Sequence, residues 1–216
     1  MLFHQHWENK GHTFGTCMSS PDSDLMYVNI PKCASSWTKP NLQDLGWEFY
    51  NFHKDHIAHK HALVVLRDPI ERWLSGVVEY FTLYHENIDT TQFNSAFYDL
   101  LMDQITFDDH TEKQVYFVEG LDPNRCTFMM CDENYRKNFT SWLRNQGIQS
   151  KDYSRYNYQH TTIGSPIRKR FNEIFAPLIN DPKYIEKLKK HFHLDYRLIW
   201  SVRFYGNQQL TGMNTG

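Results

Sequence analysis

An apolar run, Leu25 to Ile30, leads into Pro31-Lys32-Cys33-Ala34-Ser35-Ser36-Trp37, a stretch of small residues that ends where a helical pattern begins. A loop in that position can direct backbone N–H groups, the positive end of the helix dipole, a lysine ammonium and two hydroxyls at one anion. It is not a P-loop: the lysine precedes the small residues, and the G-x-x-x-x-G-K-[ST] order is absent. The plain alternative is a strand-to-helix turn with a serine N-cap and Trp37 in the core. Arg67-Asp68-Pro69-Ile70-Glu71-Arg72-Trp73-Leu74-Ser75 follows the clearest apolar run, Ala62 to Leu66. Helix capping accounts for Asp68, Pro69 and Glu71, which leaves Arg67 and Ser75 for chemistry. Arg67 stands at a strand's carboxyl end, where open α/β sheets bind ligands, and its forked donors suit a phosphate. Taken singly, Arg67 reads equally as a sheet-edge ion pair and Ser75 as a surface hydroxyl. His53, His56, His59 and His61, with Asp55 among them, form a third constellation that could supply imidazoles to a metal. No HExxH or CxxC partner accompanies them, so a solvated histidine-rich loop is the competing reading.

The elements that must position these residues follow from periodicity. Leu25–Ile30, a run near Glu48–Phe52, Ala62–Leu66 and Cys126–Cys131 read as strands, with Ala62–Leu66 central and Cys126–Cys131 buried. Helices are expected over Ser36 to about Gly46, from Pro69 through Phe81, over Gln92–Gln104, over Tyr135–Gln146 with Gly147 as the stop, and through most of Ile167–Trp200. Ile70, Leu74, Val77, Val78 and Phe81 fall on one face, which predicts a helix packed back on the sheet. The fold class is therefore α/β, a central parallel sheet flanked by helices. Residues 1–24, rich in His, Gly, Ser and Thr, read as a loose arm, and 25–216 as a single domain.

Composition limits the function classes. The 216 residues carry 23 Lys and Arg against 25 Asp and Glu, so no global positive field exists to attract nucleic acid or an anionic membrane. No apolar stretch approaches the roughly 20 residues of a membrane span, and the first residues lack the pattern of a signal peptide, which predicts a cytoplasmic protein. Cys17, Cys33, Cys126 and Cys131 show no CxxC spacing and read as reduced thiols, and the Asn138-Phe139-Thr140 sequon as chance. Lys183, Lys187, Lys189 and Lys190 form a basic helix face, read first as solvated.

In this order, the two motifs resemble a known family. IPKCASSW resembles the 5′-phosphosulfate loop of sulfotransferases that use 3′-phosphoadenosine 5′-phosphosulfate (PAPS), and RDPIERWLSGVVEYF is similar to their 3′-phosphate motif, a strand-end arginine and a serine two turns on. The match is strong over roughly 30–80. CTFMMCDENYRKNFTSWLRNQGI and YIEKLKKHFHLDYRLI look more loosely like later segments of carbohydrate-type members. The resemblance implies a P-loop-like three-layer sandwich, the sulfotransferase fold, and transfer of a sulfuryl group from PAPS to an acceptor hydroxyl, in carbohydrate by the same resemblance, leaving adenosine 3′,5′-bisphosphate. It implies that Lys32 holds the 5′-phosphate and bridging oxygen, that Cys33, Ala34, Ser35 and Ser36 line the loop, that Trp37 lines the adenine side, and that Arg67 and Ser75 grip the 3′-phosphate. Ala34 departs from the glycine found there in many members, a departure that carries a conformational cost if the position needs positive φ.

Transfer of this kind runs in line through a loose transition state, so positioning and charge neutralisation dominate and no metal is required. The acceptor needs a base, for which a histidine with a reference pKa of about 6.5 is suited. His53 is favoured, His56 second, both in the interval where relatives commonly carry theirs; His110, in a D-x-H-x-x-x-Q-like stretch, is third. Arg168, Lys169 and Arg170 are a candidate lid over the nucleotide. The competing functions are an inactive nucleotide- or carbohydrate-binding homologue, a metal protein built on the histidine cluster, and, least favoured, a nucleotide kinase.

Overall fold

A computed structural model describes residues 16–51, 60–148 and 165–211. These group into two compact units: a sheet unit of 16–51, 60–67, 114–148 and 197–211, and a helical unit of 68–113 and 165–196.

The sheet unit is α/β, with a five-stranded mixed sheet flanked by helices. Its strands are β1 (Thr16–Ser19), β2 (Leu25–Val28), β3 (Glu48–Asn51), β4 (His61–Leu66) and β5 (Cys126–Met130), in the spatial order β3-β1-β2-β4-β5. β2, β4 and β5 run parallel, whereas β1 is antiparallel to both β2 and β3. The sheet is thus not the wholly parallel one the sequence pattern suggests. The source of the difference is β1, which lies within the stretch read as a loose arm. Its Cys17 and Met18 are fully buried, and a tight turn returns the chain into β2 through Ser20 N–H to the Leu25 carbonyl, 3.0 Å. Four residues with polar ends carry no periodic signal; pairing on both sides is what makes them a strand. β4 is interior and buried from Ala62 onward, as its composition predicts, but the middle position belongs to β2. β5 is only half-buried, because it forms the sheet's edge and not the buried strand expected.

Helix α1 (Ser35–Gln43) ends in a Schellman arrangement: Trp47 N–H reaches the Leu42 carbonyl and Gly46 N–H that of Gln43, with Gly46 at φ +80°. α5 (Tyr135–Asn145) ends the same way at Gly147, φ +75°, the stop its glycine announces. The core joins β1, β2 and β4 to Trp37 and Leu42 of α1 and to Phe139, Trp142 and Leu143 of α5. A short helix, α4 (Gln114–Val118), completes the part of this unit that concerns the site.

The helical unit contains α2 (Pro69–Tyr84), α3 (Ser95–Gln104), α6 (Pro166–Phe175) and α7 (Pro182–His191); α8 (His193–Thr211) begins in it and continues as part of the sheet unit from Arg197. Asp68 caps α2, its carboxylate accepting from the N–H groups of Ile70 and Glu71, both at 3.0 Å. The apolar face of α2 was expected on the sheet; instead Trp73, Val77, Val78 and Phe81 join a core with Phe171, Phe175, Leu178 and Leu188. Periodicity shows that a stripe is buried but not which partner buries it. Lys183 and Lys187, read as a solvated face, pair across helices with Asp99 and Asp103. Among the described residues no helix is long and apolar enough to cross a membrane.

Candidate anion site

The loop between β2 and α1 has an unusual backbone. Lys32 and Ala34 take φ of +66° and +57°, values that L residues adopt at a cost of about 1 kcal/mol or more each. Between them Cys33 keeps a negative φ, and Ser35 begins the helix. Such alternation of φ sign turns successive N–H groups to one side and makes an anion-binding concavity. Cys33 N–H bonds the Ile30 carbonyl at 3.2 Å, but the N–H groups of Ala34, Ser35 and Ser36 meet no partner among the described residues. The half-buried hydroxyls of Ser35 and Ser36 meet none there either. Ala34 is the N-cap without a side-chain acceptor, so the helix start is left uncapped. The positive φ of Ala34 is also the conformation in which glycine is at home, and the strain anticipated from alanine there is present.

The Ala34 carbonyl is held from the other side. Thr38 N–H donates to it at 2.9 Å and Thr38 Oγ1 at 3.0 Å, while Tyr135 OH lies 2.7 Å from the same hydroxyl. Burial pushes the Tyr135 phenol far above its ordinary value, so it stays neutral and can donate along this chain. Trp37 is only 5% exposed, set edge-on against Tyr135 and Phe139 with the Arg136 guanidinium 5.6 Å from its ring. Trp37 thus packs into the core of the sheet unit, as its plain alternative has it. Cys33 is likewise fully buried and contributes to the loop's fold instead of its surface.

Arg67 leaves the carboxyl end of β4, the parallel neighbour of β2, so both loops emerge at the same edge of the sheet. Its Nη1 lies 3.5 Å from the Lys32 carbonyl, which sets the Arg67 side chain against the backbone of a loop 35 positions earlier in sequence. Sequence reasoning missed the residue that connects them. Gln114, wholly buried, accepts from Arg67 N–H (2.9 Å) and from the Cys33 thiol (3.3 Å), and donates to the Arg67 carbonyl (2.9 Å). The only available signal was its place in the stretch around His110.

Ser75 and His110 belong to the helical unit. Ser75 Oγ is 3.5 Å from Nη2 of Arg168, whose Nη1 is in close contact with Glu79. Arg170 donates to the Ile88 carbonyl at 2.7 Å and stacks beside Phe171. Both arginines are thereby engaged inside their own unit. Nδ1 of His110 donates to Asp108 (2.8 Å) and Asp109 (3.0 Å). Burial works against the imidazolium, but the two hydrogen bonds and the carboxylate charges override it and hold the pKa up at about 9. The same contact keeps Asp109 below the usual carboxylate value, against its own burial. The buried Arg72 fixes this loop through the carbonyls of Glu112 and Asp109. Three possible metal-ligand atoms of Asp108, Asp109 and His110 lie within 4.8 Å of one another, but His110 Nδ1 is already shared by both carboxylates.

His53, His56 and His59 lie outside the described residues; His61 is an exposed residue at the start of β4. All four cysteines are free thiols. Comparison of the chain with protein-family models, with curated proteins and with solved structures found no match. The family resemblance therefore rests on the two sequence motifs.

Proposed function

We propose that the chain binds PAPS and transfers its sulfuryl group to an acceptor hydroxyl, carbohydrate being the acceptor class the sequence resemblance suggests. The observation that carries this reading is the loop of alternating φ sign at the uncapped start of α1, with Arg67 against the Lys32 carbonyl. An anion seated there meets the N–H groups of Ala34, Ser35 and Ser36, two serine hydroxyls and the positive end of the helix. In the proposed reaction the acceptor oxygen attacks sulfur as the bond to the bridging oxygen breaks, the hydroxyl proton passes to a histidine base, His53 or His56, and Lys32 neutralises the charge that develops on the departing bisphosphate. Arg67 takes the 3′-phosphate, the group that separates this nucleotide from ADP.

Calorimetric titration with adenosine 3′,5′-bisphosphate beside ADP tests the nucleotide site. Tight binding of the bisphosphate, weak binding of ADP and loss of about 1.5–3 kcal/mol in Arg67→Ala are expected, the range of a charge-assisted hydrogen bond. Equal binding of the two nucleotides, or an unaffected variant, rejects the reading. A binding homologue without turnover is the second reading; the contacts of His110 with Asp108 and Asp109, which raise its pKa to about 9, suit a donor better than a base and leave that role to His53 or His56. Transfer to any of a panel of acceptor sugars, with His53 and His56 variants alongside, distinguishes the two.

A further inference from the structure

We propose that Gln114 is the positioning residue of this site, the side chain that fixes the strained loop to Arg67 and so sets the separation of the two phosphate contacts; this rests on the nucleotide reading above. Beyond Leu66, whose carbonyl still accepts from Cys131 N–H at 2.6 Å, the ladder of β4 with β5 stops. Arg67 is the next residue, and Gln114 gives its backbone what a neighbouring strand would give: an acceptor for the N–H and a donor for the carbonyl, both at 2.9 Å. The same Oε1 takes the Cys33 thiol. Cys33 lies between Lys32 and Ala34, so a fully buried side chain of the strained turn is tied to the amide that holds Arg67.

A primary amide is the group this junction requires. It offers two lone pairs on one atom and donors on the other, with no charge to add to an anion site. Glutamate keeps the acceptor but turns a second oxygen toward the Arg67 carbonyl, and methionine keeps the length but supplies neither contact. Gln114 need not touch the nucleotide. Its effect passes through the backbone of Arg67 and through Cys33, so it should govern how well one ligand satisfies both contacts at once, more than how each contact performs alone.

The experiment compares wild type with Gln114→Met, Gln114→Glu and Cys33→Ser. Affinities are measured for adenosine 3′,5′-bisphosphate, adenosine 5′-phosphate and adenosine 3′-phosphate, and amide hydrogen exchange is followed at Arg67. In Gln114→Met the advantage of the bisphosphate over either monophosphate should fall about tenfold and the Arg67 amide should exchange about tenfold faster, one hydrogen bond's worth in each case. Gln114→Glu should fall in the same direction, and Cys33→Ser, which retains a donor to Gln114, should stay near wild type. Should the methionine variant fail to fold, the glutamate variant carries the same comparison, with Cys33→Ser as the control. A wild-type protein that selects the bisphosphate, with folded Gln114 variants that keep both the advantage and the amide protection, overturns the positioning role alone. A wild-type protein that binds the bisphosphate no better than ADP overturns the nucleotide reading and this role with it.

Discussion

Replacing Asp108 with asparagine should weaken the hold of the folded protein on the His110 ring proton. The ring's pKa stands at about 9 against an ordinary 6.5, and at roughly 1.4 kcal/mol per unit the folded state favours the imidazolium by about 3 kcal/mol. The folded pKa is raised, so this stabilisation is complete below pH 6.5, declines as pH rises from 6.5 to about 9 and is absent above. Asp108→Asn removes the shorter of the two contacts, 2.8 Å, and the charge behind it, and an opposite charge at that range shifts a pKa by about 1–3 units. His191 sets the opposite flank. Burial, with Lys113 and His193 nearby, pulls its pKa down to about 4, so its neutral form contributes stability that is complete above 6.5 and lost as pH falls toward 4. Stability should therefore peak near neutrality. The assay is an NMR titration of the histidine ring protons together with urea denaturation at several pH values. In Asp108→Asn the His110 titration should drop by at least a unit and the alkaline loss of stability should shrink. A wild-type His110 that titrates near 6.5, or an alkaline limb unchanged in the variant, refutes the reasoning.

Three further predictions follow from contacts described above. Ala34→Gly removes the alanine from a left-handed conformation at φ +57°; relief of strain against lost chain entropy leaves a net stabilisation of up to about 1 kcal/mol by denaturant titration, with bisphosphate affinity unchanged. Gly76→Ala in α2 should destabilise the protein by about 3 kcal/mol despite alanine's helix propensity, because a Cβ there stands 2.7 Å from the His110 carbonyl carbon and nearer still to its oxygen. Glu79→Gln strips the partner from Arg168, whose side chain is only 15% exposed, and should cost about 3 kcal/mol, whereas replacing both residues with apolar ones of similar size should cost less. Chemical denaturation of each variant checks both.

Local signals in the sequence proved reliable where the physics is local. Asp68-Pro69 starts α2, Gly46 and Gly147 stop α1 and α5, and the β-branched and leucine run before Arg67 is an inner strand, because capping, left-handed glycine and strand composition act within a few residues. The loop from Lys32 to Ser36 was legible as a turn of small residues for the same reason: it adjoins a helix start, and Ala34 stands where the backbone takes positive φ. Against this, Thr16–Ser19 became an interior strand only through its two neighbours, and β5 an edge strand only through its place in the order. Neither property resides in the residues themselves.

By itself the sequence determined the α/β class, the capped start of α2, the glycine stop of α5, the small-residue loop after β2 and the arginine after β4, all of which depend on contacts a few positions apart. Tertiary structure alone decided that the sheet is mixed, that the stripe of α2 belongs to a helical core, that Trp37 is buried, and that His110 Nδ1 sits between two carboxylates. It also decided that Lys32, Cys33 and Arg67 meet, through a glutamine whose side chain reaches residues 47 and 81 positions away. Long-range pairing of this sort is a choice among many partners of similar chemistry, and packing makes that choice only once the whole chain is in place.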